Sequence, residues 1–141
     1  MKYLFALSLL IITQASIAQS GLPFKPKNSE LEQLGKSAES FDQWIGHQSF
    51  SQDVIIREGK NNIKTYHYIQ GSYSKGFIIR DGVCEEFLSG EHNMKYVSKS
   101  LSKKYELVEE LADKRVFRSD RYIFTVSWEK PDKAIVRVSM I

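Results

Sequence analysis

The sequence predicts an α+β fold in which two amphipathic helices pack on an antiparallel sheet, in the order helix, strands, helix, strands. Two segments have apolar residues at the three- and four-residue spacing of a helix face. The segments that follow them are rich in the β-branched and aromatic residues that favour strands. Short turn signals separate these strands, so consecutive strands are expected to pair antiparallel and the chain to end in a C-terminal β-hairpin.

The N-terminal segment has the pattern of a signal peptide. Lys2 precedes an apolar stretch that ends near Ile12, and the small residues Ser16 and Ala18 suit cleavage after position 18. The apolar stretch is shorter than the roughly 20 residues that span a hydrocarbon core, so a permanent membrane anchor is the less favoured alternative. Residues 1–18 are therefore predicted to be a signal peptide.

The rest of the chain fits one small domain. Two prolines within residues 19–28 indicate an extended leader, and residues 29–141 are predicted to form a single α+β domain. Loss of the signal peptide removes one of the 20 basic residues and none of the 17 acidic ones, which leaves a net charge of about +2. Nucleic-acid binding needs a concentrated basic face, so no nucleic-acid partner is expected. No membrane span is expected after cleavage.

The first helix is predicted to begin at Ser29. Ser29 and Glu32 have the spacing of a capping box, and apolar residues at helical spacing continue to Gly46. Beyond it, Asp81-Gly82 is a strong hairpin signal. Strands are expected over residues 49–58, 62–70, 77–80, 83–88, 116–118, 122–129 and 134–141, with a loop over 71–76.

The second helix is predicted to begin near residues 89–90. Met94, Val97 and Leu101 share its apolar face. Residues 105–111 fit both a helical and a strand period, so the two alternatives stay open there.

The single cysteine, Cys84, allows no disulfide within the chain. A buried thiol in a strand is favoured over a reactive one, because free cysteines are usually buried. The chain also has no N-glycosylation sequon, which weakens a eukaryotic secretory origin. These features favour the periplasm of a Gram-negative bacterium, with secretion outside the cell as the alternative.

Motifs for catalysis and cofactor binding are absent from the sequence. It has no nucleophile elbow, zinc-protease helix, phosphate-binding loop or paired Cys-x-x-Cys, and no cofactor is predicted. Two Ser-x-x-Lys matches, at Ser72 and Ser100, lack the companion motifs and are interpreted as chance. Cys84, His92 and Met94 are weak metal-ligand candidates, because such soft ligands suit copper. The favoured alternative is that Met94 packs in its helix and His92 lies in the first turn.

A row of lysines on the second helix is the first candidate binding feature. Lys95, Lys99 and Lys103 lie four residues apart, and like charges at this spacing repel unless something negative offsets them. A negatively charged partner would do so. The alternative is an ordinary solvated helix face.

A set of tyrosines is the second candidate binding feature. Tyr66 and Tyr68 share one face of a predicted strand, and Tyr73 follows in the next loop. Exposed tyrosines suit a protein interface or a glycan. If the tyrosine face is instead the core, this hypothesis is lost.

The leading hypothesis is a small, exported, non-catalytic binding protein, an inhibitor or immunity-type partner of another protein or of a cell-envelope component. It rests on a small domain with candidate binding surfaces and no catalytic motif. A small periplasmic hydrolase is the alternative, based on scattered histidine, serine and acidic residues. A metal-handling protein is the second alternative.

Overall fold

A computed structural model describes residues 22–50 and 53–141, so the predicted signal peptide lies outside the described residues. The described chain has three short helices: α1 (Asn28–Leu31), α2 (Ala38–Gly46) and α3 (Met94–Ser102). It has eight strands: β1 (Ile55–Glu58), β2 (Ile63–Gln70), β3 (Tyr73–Arg80), β4 (Val83–His92), β5 (Glu106–Glu110), β6 (Lys114–Arg118), β7 (Tyr122–Ser127) and β8 (Ala134–Met140).

The eight strands form one antiparallel sheet in the order β1-β2-β3-β4-β8-β7-β6-β5. Strands β1 to β4 and β5 to β8 are two meanders, and the last strand of each meander pairs with the other at the centre. This pairing places Phe87 opposite Val138 and Leu88 opposite Arg137. Both halves of the chain therefore share one continuous sheet, with β1 and β5 at its edges.

Two tight turns of the first meander contain asparagine, aspartate or glycine residues, which tolerate the left-handed backbone conformation. Asn61 and Asn62 have φ angles of 62° and 57° between β1 and β2. Asp81 and Gly82 have φ angles of 51° and 77° between β3 and β4. Two successive positive φ angles are typical of the type I′ turn, whose twist matches that of the strands it joins. The predicted Asp81-Gly82 hairpin is confirmed.

The predicted mixture of helix with an antiparallel sheet is confirmed, but the chain is mostly sheet and its helices are short. The prediction of one long first helix is wrong. Gly35 has a φ angle of 88°, and the chain leaves the helical conformation there, between α1 and α2. Helix α2 has its own N-cap, because the Ser37 side chain accepts a hydrogen bond from the Ser40 amide at 3.2 Å.

The predicted capping box at Ser29 and Glu32 is also wrong. Helix α1 begins one residue earlier, at Asn28. The carboxylate that caps it belongs to Glu30, which accepts a hydrogen bond from the Lys27 amide at 2.7 Å.

Helix α3 begins later than predicted, at Met94. Residues 89–90 continue strand β4, which pairs with β8 as far as His92. Asn93 starts the helix, because its side-chain oxygen accepts a hydrogen bond from the Lys95 amide at 3.0 Å.

The structure also decides two further segments, the predicted loop over residues 71–76 and the residues 105–111, where the sequence fits both helix and strand. The predicted loop over residues 71–76 shortens to a two-residue turn, because β3 already begins at Tyr73. The ambiguous residues 105–111 contain strand β5. The strand pattern there is therefore the correct alternative.

The main core lies between one face of the sheet and the helices. The Phe41 ring of α2 lies 4.8 Å from the rings of both Tyr66 and Phe77, measured between centroids. Val97 and Leu101 of α3 are buried in the same core. A smaller apolar cluster on the opposite face consists of Ile63, Ile78, Leu88 and Ile135.

Cys84 is the only cysteine of the chain and is a free, buried thiol, so the chain holds no internal disulfide. Burial raises the pKa of this thiol to about 12, which keeps it protonated at neutral pH. Across residues 22–50 and 53–141, no helix has the length and apolar character needed to cross a membrane.

Candidate binding groove between helix α3 and strand β5

A groove of about 320 Å³ lies between α3 and the strand pair β5 and β6. Its helix side is formed by Lys95, Ser98, Lys99 and Ser102. These residues face the same way because they lie three or four positions apart on a helix. The apolar face of α3 is buried in the core, which holds this polar face at the surface.

The strand side of the groove combines an apolar pair with a charged pair. Leu107 of β5 lies opposite Phe117 of β6, and Glu110 lies opposite Arg115. Phe117 is buried, whereas 43% of Leu107 remains exposed. The groove therefore has an apolar floor whose exposed part is Leu107.

Exposed apolar side chains concentrate on the two elements that form the groove. Strand β5 is an edge strand, and each of its residues is exposed. The large exposed apolar residues on or next to these elements are Tyr96, Leu107, Val108 and Leu111. Of these four residues, Leu107 lines the groove. Single exposed apolar residues are ordinary, whereas a contiguous apolar patch is typical of an interaction surface.

The basic groups of the groove differ in how far they are paired. The Arg115 guanidinium lies 3.7 Å from the Glu110 carboxylate and 5.7 Å from the centre of the Trp128 ring. Lys95 and Lys99 form no ion pair with any part of the chain that the structure describes. Two ammonium groups are therefore available to a negatively charged ligand.

Ser98 brings a buried polar group to the groove, as does Arg115, whose Nε has no hydrogen-bond partner among the described residues. Only 5% of the Ser98 surface is exposed, and its Oγ also has no hydrogen-bond partner there. Leaving a buried hydroxyl unpaired costs about 1–3 kcal/mol. Ser102 differs, because its Oγ donates to the Lys99 carbonyl at 2.9 Å. Ser98 thus offers an unused hydrogen-bonding group beside the two lysines.

Comparisons of the chain with protein-family models, curated proteins and solved structures found no match. Any functional assignment therefore rests on the chemistry of the chain itself. The groove and the buried polar residues are the two places where that chemistry is concentrated.

The predicted lysine row is only partly brought into the groove. Lys95 and Lys99 line it, whereas Lys103 follows the last residue of α3 and does not line it. All three side chains are exposed. A role for them in binding stays a prediction.

The tyrosines do not form the exposed surface that the binding hypothesis required. Tyr66 is 2% exposed and Tyr68 is 1% exposed, so their face of the strand is the core. The Tyr66 hydroxyl donates to Asp42 and the Tyr68 hydroxyl to Glu30, the latter at 2.7 Å. Burial raises the pKa of both tyrosines. Tyr73 is half-buried at the start of β3.

Ser89 and His92 form the arrangement closest to a catalytic pair. Ser89 Oγ lies 2.9 Å from His92 Nε2, and His92 Nδ1 lies 2.9 Å from the Leu22 carbonyl oxygen. Because the carbonyl can only accept, Nδ1 carries the proton and Nε2 accepts from the serine. The two residues are only 2% and 0% exposed, and the Phe24 ring packs edge-to-face on His92 at 5.9 Å. The pair is closed to substrate and holds the N-terminal segment to the sheet.

The burial of His92 predicts a pH-dependent stability. Burial lowers its pKa and the charge of Lys75 acts in the same direction, while the Leu22 carbonyl opposes both. The unfolded chain therefore takes up a proton at a pH where the folded chain keeps His92 neutral. The free energy of unfolding is expected to fall as the pH drops below about 6.5.

Urea unfolding at about pH 7, 6 and 5 tests this expectation. The wild-type chain should lose stability at each step, and His92→Gln should lose less per step. Identical pH dependence in the two proteins would contradict the assignment to His92.

The candidate metal ligands Cys84, His92 and Met94 are not arranged as a site. Both ring nitrogens of His92 are already hydrogen-bonded. Metal binding needs the thiolate, which the raised pKa of Cys84 disfavours. Met94 packs against the core from the first turn of α3. Within residues 22–50 and 53–141, no group of three His, Cys, Asp or Glu side chains could hold a metal ion.

A second cleft, of about 480 Å³, lies next to the turn between β3 and β4. Its charged groups are paired with one another. The Glu86 carboxylate lies 3.0 Å from Arg137 Nε and 3.5 Å from the Arg80 guanidinium, which also lies 3.3 Å from Glu85. This cleft therefore has less to offer a charged ligand than the α3–β5 groove.

The sequence predicted two of the basic residues of the groove and missed its floor. Leu107, Arg115 and Phe117 come from strands whose position under α3 depends on pairing between distant segments. Ser98 lies one turn from the core residues of its own helix, and no motif marks it. The alternation of Leu107, Glu109 and Leu111 was a local signal that this segment could form a strand.

Proposed function

We propose that this chain is a small, exported, non-catalytic binding protein that holds another protein, in the manner of an inhibitor or immunity protein. The observation that carries the proposal is the α3–β5 groove, where Lys95 and Lys99, which form no ion pair within the described residues, lie beside an apolar floor. An amphipathic, negatively charged segment of a partner complements both features. The exposed apolar residues on β5 extend the contact area beyond the groove.

The place of action is part of the same proposal. The signal-peptide pattern of residues 1–18 and the single cysteine support export to the periplasm of a Gram-negative bacterium, with secretion as the alternative. The partner would then be another exported protein or a protein of the cell envelope.

A hydrolase has one geometric observation in its favour, the 2.9 Å contact between Ser89 and His92. Nucleophilic catalysis also needs a space in which the substrate reaches the serine. The closure of this pair by the Leu22 to Phe24 segment favours the binding role instead.

Site-specific photo-crosslinking in cells tests the proposal. A benzophenone amino acid replaces Leu107 on β5 in one variant and Gln43 in the matched control, because Gln43 is exposed on α2. The Leu107 variant is expected to trap one discrete partner. Reversing two charges at the groove rim with Lys95→Glu and Lys99→Glu should cut the crosslinked yield by about tenfold or more.

The charge control is Lys36→Glu with Lys130→Glu, which changes the net charge equally at exposed sites outside the groove. It should leave the yield unchanged. Trapping that is equal from Gln43, or that ignores the Lys95 and Lys99 reversals, would overturn the proposal. So would the lack of any crosslink from Leu107.

A further inference from the structure

The helix side of the α3–β5 groove is lined by hydrogen-bonding side chains, among them Lys95, Ser98 and Lys99. Lys95 and Lys99 each bring three N–H donors with no carboxylate partner in the described chain. Ser98 lies between them in sequence and brings a buried hydroxyl with no hydrogen bond. A buried polar atom without a partner in the protein is uncommon, and a water molecule or a ligand group can satisfy it.

The net charge of the groove's side chains favours a ligand that carries a single negative charge. Three basic side chains, Lys95, Lys99 and Arg115, face one acidic side chain, Glu110. Because Arg115 already pairs with Glu110, the two lysines supply the uncompensated charge. A singly charged carboxylate suits this balance, whereas a phosphate group would place more negative charge near Glu110.

The apolar floor sets a second requirement. Leu107 and Phe117 lie side by side on the strand pair under the groove, and Leu107 is partly open to solvent. A free carboxylate ion would leave this surface uncovered. A polypeptide would cover it if an apolar side chain stood next to the acidic one.

We propose that the groove binds an aspartate or glutamate side chain of the partner, with its carboxylate held by Lys95, Lys99 and the Ser98 hydroxyl. The neighbouring apolar side chain of the partner packs on Leu107, the exposed residue of the floor. This inference rests on the proposed binding function and specifies the chemistry that its groove selects. The recognised element is an acidic residue beside an apolar one in an exposed segment.

Titration of the isotope-labelled, exported chain with two peptides tests this subsite by NMR. The probe is an acetylated, amidated pentapeptide of alternating glutamate and leucine, and the control peptide carries glutamine in place of glutamate. The first peptide is expected to shift amide signals within residues 95–102 and 106–117. The glutamine peptide should bind about tenfold more weakly, because it lacks the charge that the lysines attract.

Variants separate the two parts of the subsite. Lys95→Gln with Lys99→Gln should weaken binding of the glutamate peptide about tenfold, and Ser98→Ala about threefold. Both changes keep residues that form helices well. The matched control, Lys36→Gln with Lys130→Gln, should leave the affinity unchanged.

Three results would overturn the carboxylate subsite: equal affinity for both peptides, no shifted signals up to millimolar peptide, or shifts confined to other regions. The crosslinking experiment separates this outcome from failure of the proposed function. A partner trapped at Leu107 in a charge-dependent way, together with a failed peptide titration, would keep the binding role and remove the carboxylate assignment.

Discussion

Replacing Lys75 with methionine is expected to lower the free energy of unfolding by about 3–5 kcal/mol, because it leaves a carboxylate buried without its charge partner. Lys75 Nζ lies 2.8 Å and 2.9 Å from the two carboxylate oxygens of Glu30. Their side chains are only 3% and 2% exposed. Glu30 also accepts hydrogen bonds from the Tyr68 hydroxyl and the Lys27 amide, both at 2.7 Å. These two neutral donors do not replace the lost positive charge.

A double variant distinguishes the buried charge from lost packing. Glu30→Gln added to Lys75→Met removes the orphaned charge, so it should recover part of the lost stability. Lys36→Met is the surface control and should change stability by less than about 0.5 kcal/mol. Urea unfolding followed by tryptophan fluorescence measures all three proteins. A loss below about 1 kcal/mol for Lys75→Met would show that water reaches this ion pair.

This ion pair also explains how the N-terminal part of the chain is held. Helix α1 is four residues long, and so short a helix has little stability of its own. Glu30 ties it to β3 through Lys75 and to β2 through Tyr68. Leu22 is held in turn by His92 at the end of β4. Two buried polar contacts thus fix the segment that precedes α2.

The sequence predicted correctly those turns, helix faces and strands that depend only on residues close together in the chain. Asp81-Gly82 forms the expected hairpin because both residues tolerate a left-handed backbone. The apolar stripe of α3 predicted its buried face, and Val97 and Leu101 lie there. Alternating side chains predicted a strand over residues 122–129, and the structure has β7 at Tyr122–Ser127.

The predictions that failed depend on contacts between residues far apart in the chain, which a local sequence pattern does not show. Alternation shows that Tyr66 and Tyr68 share a face, but only the packing of α2 decides that this face is the core. The first helix ends early because Gly35 takes a left-handed conformation against Met140, its neighbour from the far end of the chain. The predicted start of α3 failed because pairing with β8 extends β4 to His92.

The groove depends on the same long-range pairing. Sheet order places β5 at an edge, and the β5–β6 register puts Leu107 beside Phe117. The lysines of α3 were visible in the sequence because helical spacing alone aligns Lys95 and Lys99. The helix side of this site can therefore be predicted from the sequence, whereas its strand side cannot be predicted before the fold is known.

Replacing Phe77 with alanine is expected to cost about 3–5 kcal/mol, because it opens a cavity at the centre of the aromatic core. The Phe77 ring is fully buried on β3. Its centroid lies 4.8 Å from that of Phe41, 5.1 Å from Phe87, 5.7 Å from Trp44 and 6.0 Å from Tyr68. Phe77→Leu keeps most of the volume and should cost less than half as much. Equal losses in the two variants would contradict the cavity explanation.

The same variant tests whether the two meanders unfold together. Trp44 lies against Phe77 in the first half, and Trp128 lies against Arg115 in the second half, so single-tryptophan chains made with Trp128→Phe or Trp44→Phe report one half each. Because the β4–β8 pairing makes the sheet continuous, Phe77→Ala should move both urea transitions to lower denaturant by the same amount. A shift seen by Trp44 alone would mean that the halves unfold independently. In a single cooperative unit, damage to the aromatic core would also lower the free energy needed to unfold the α3–β5 groove, although the two lie in different halves of the chain.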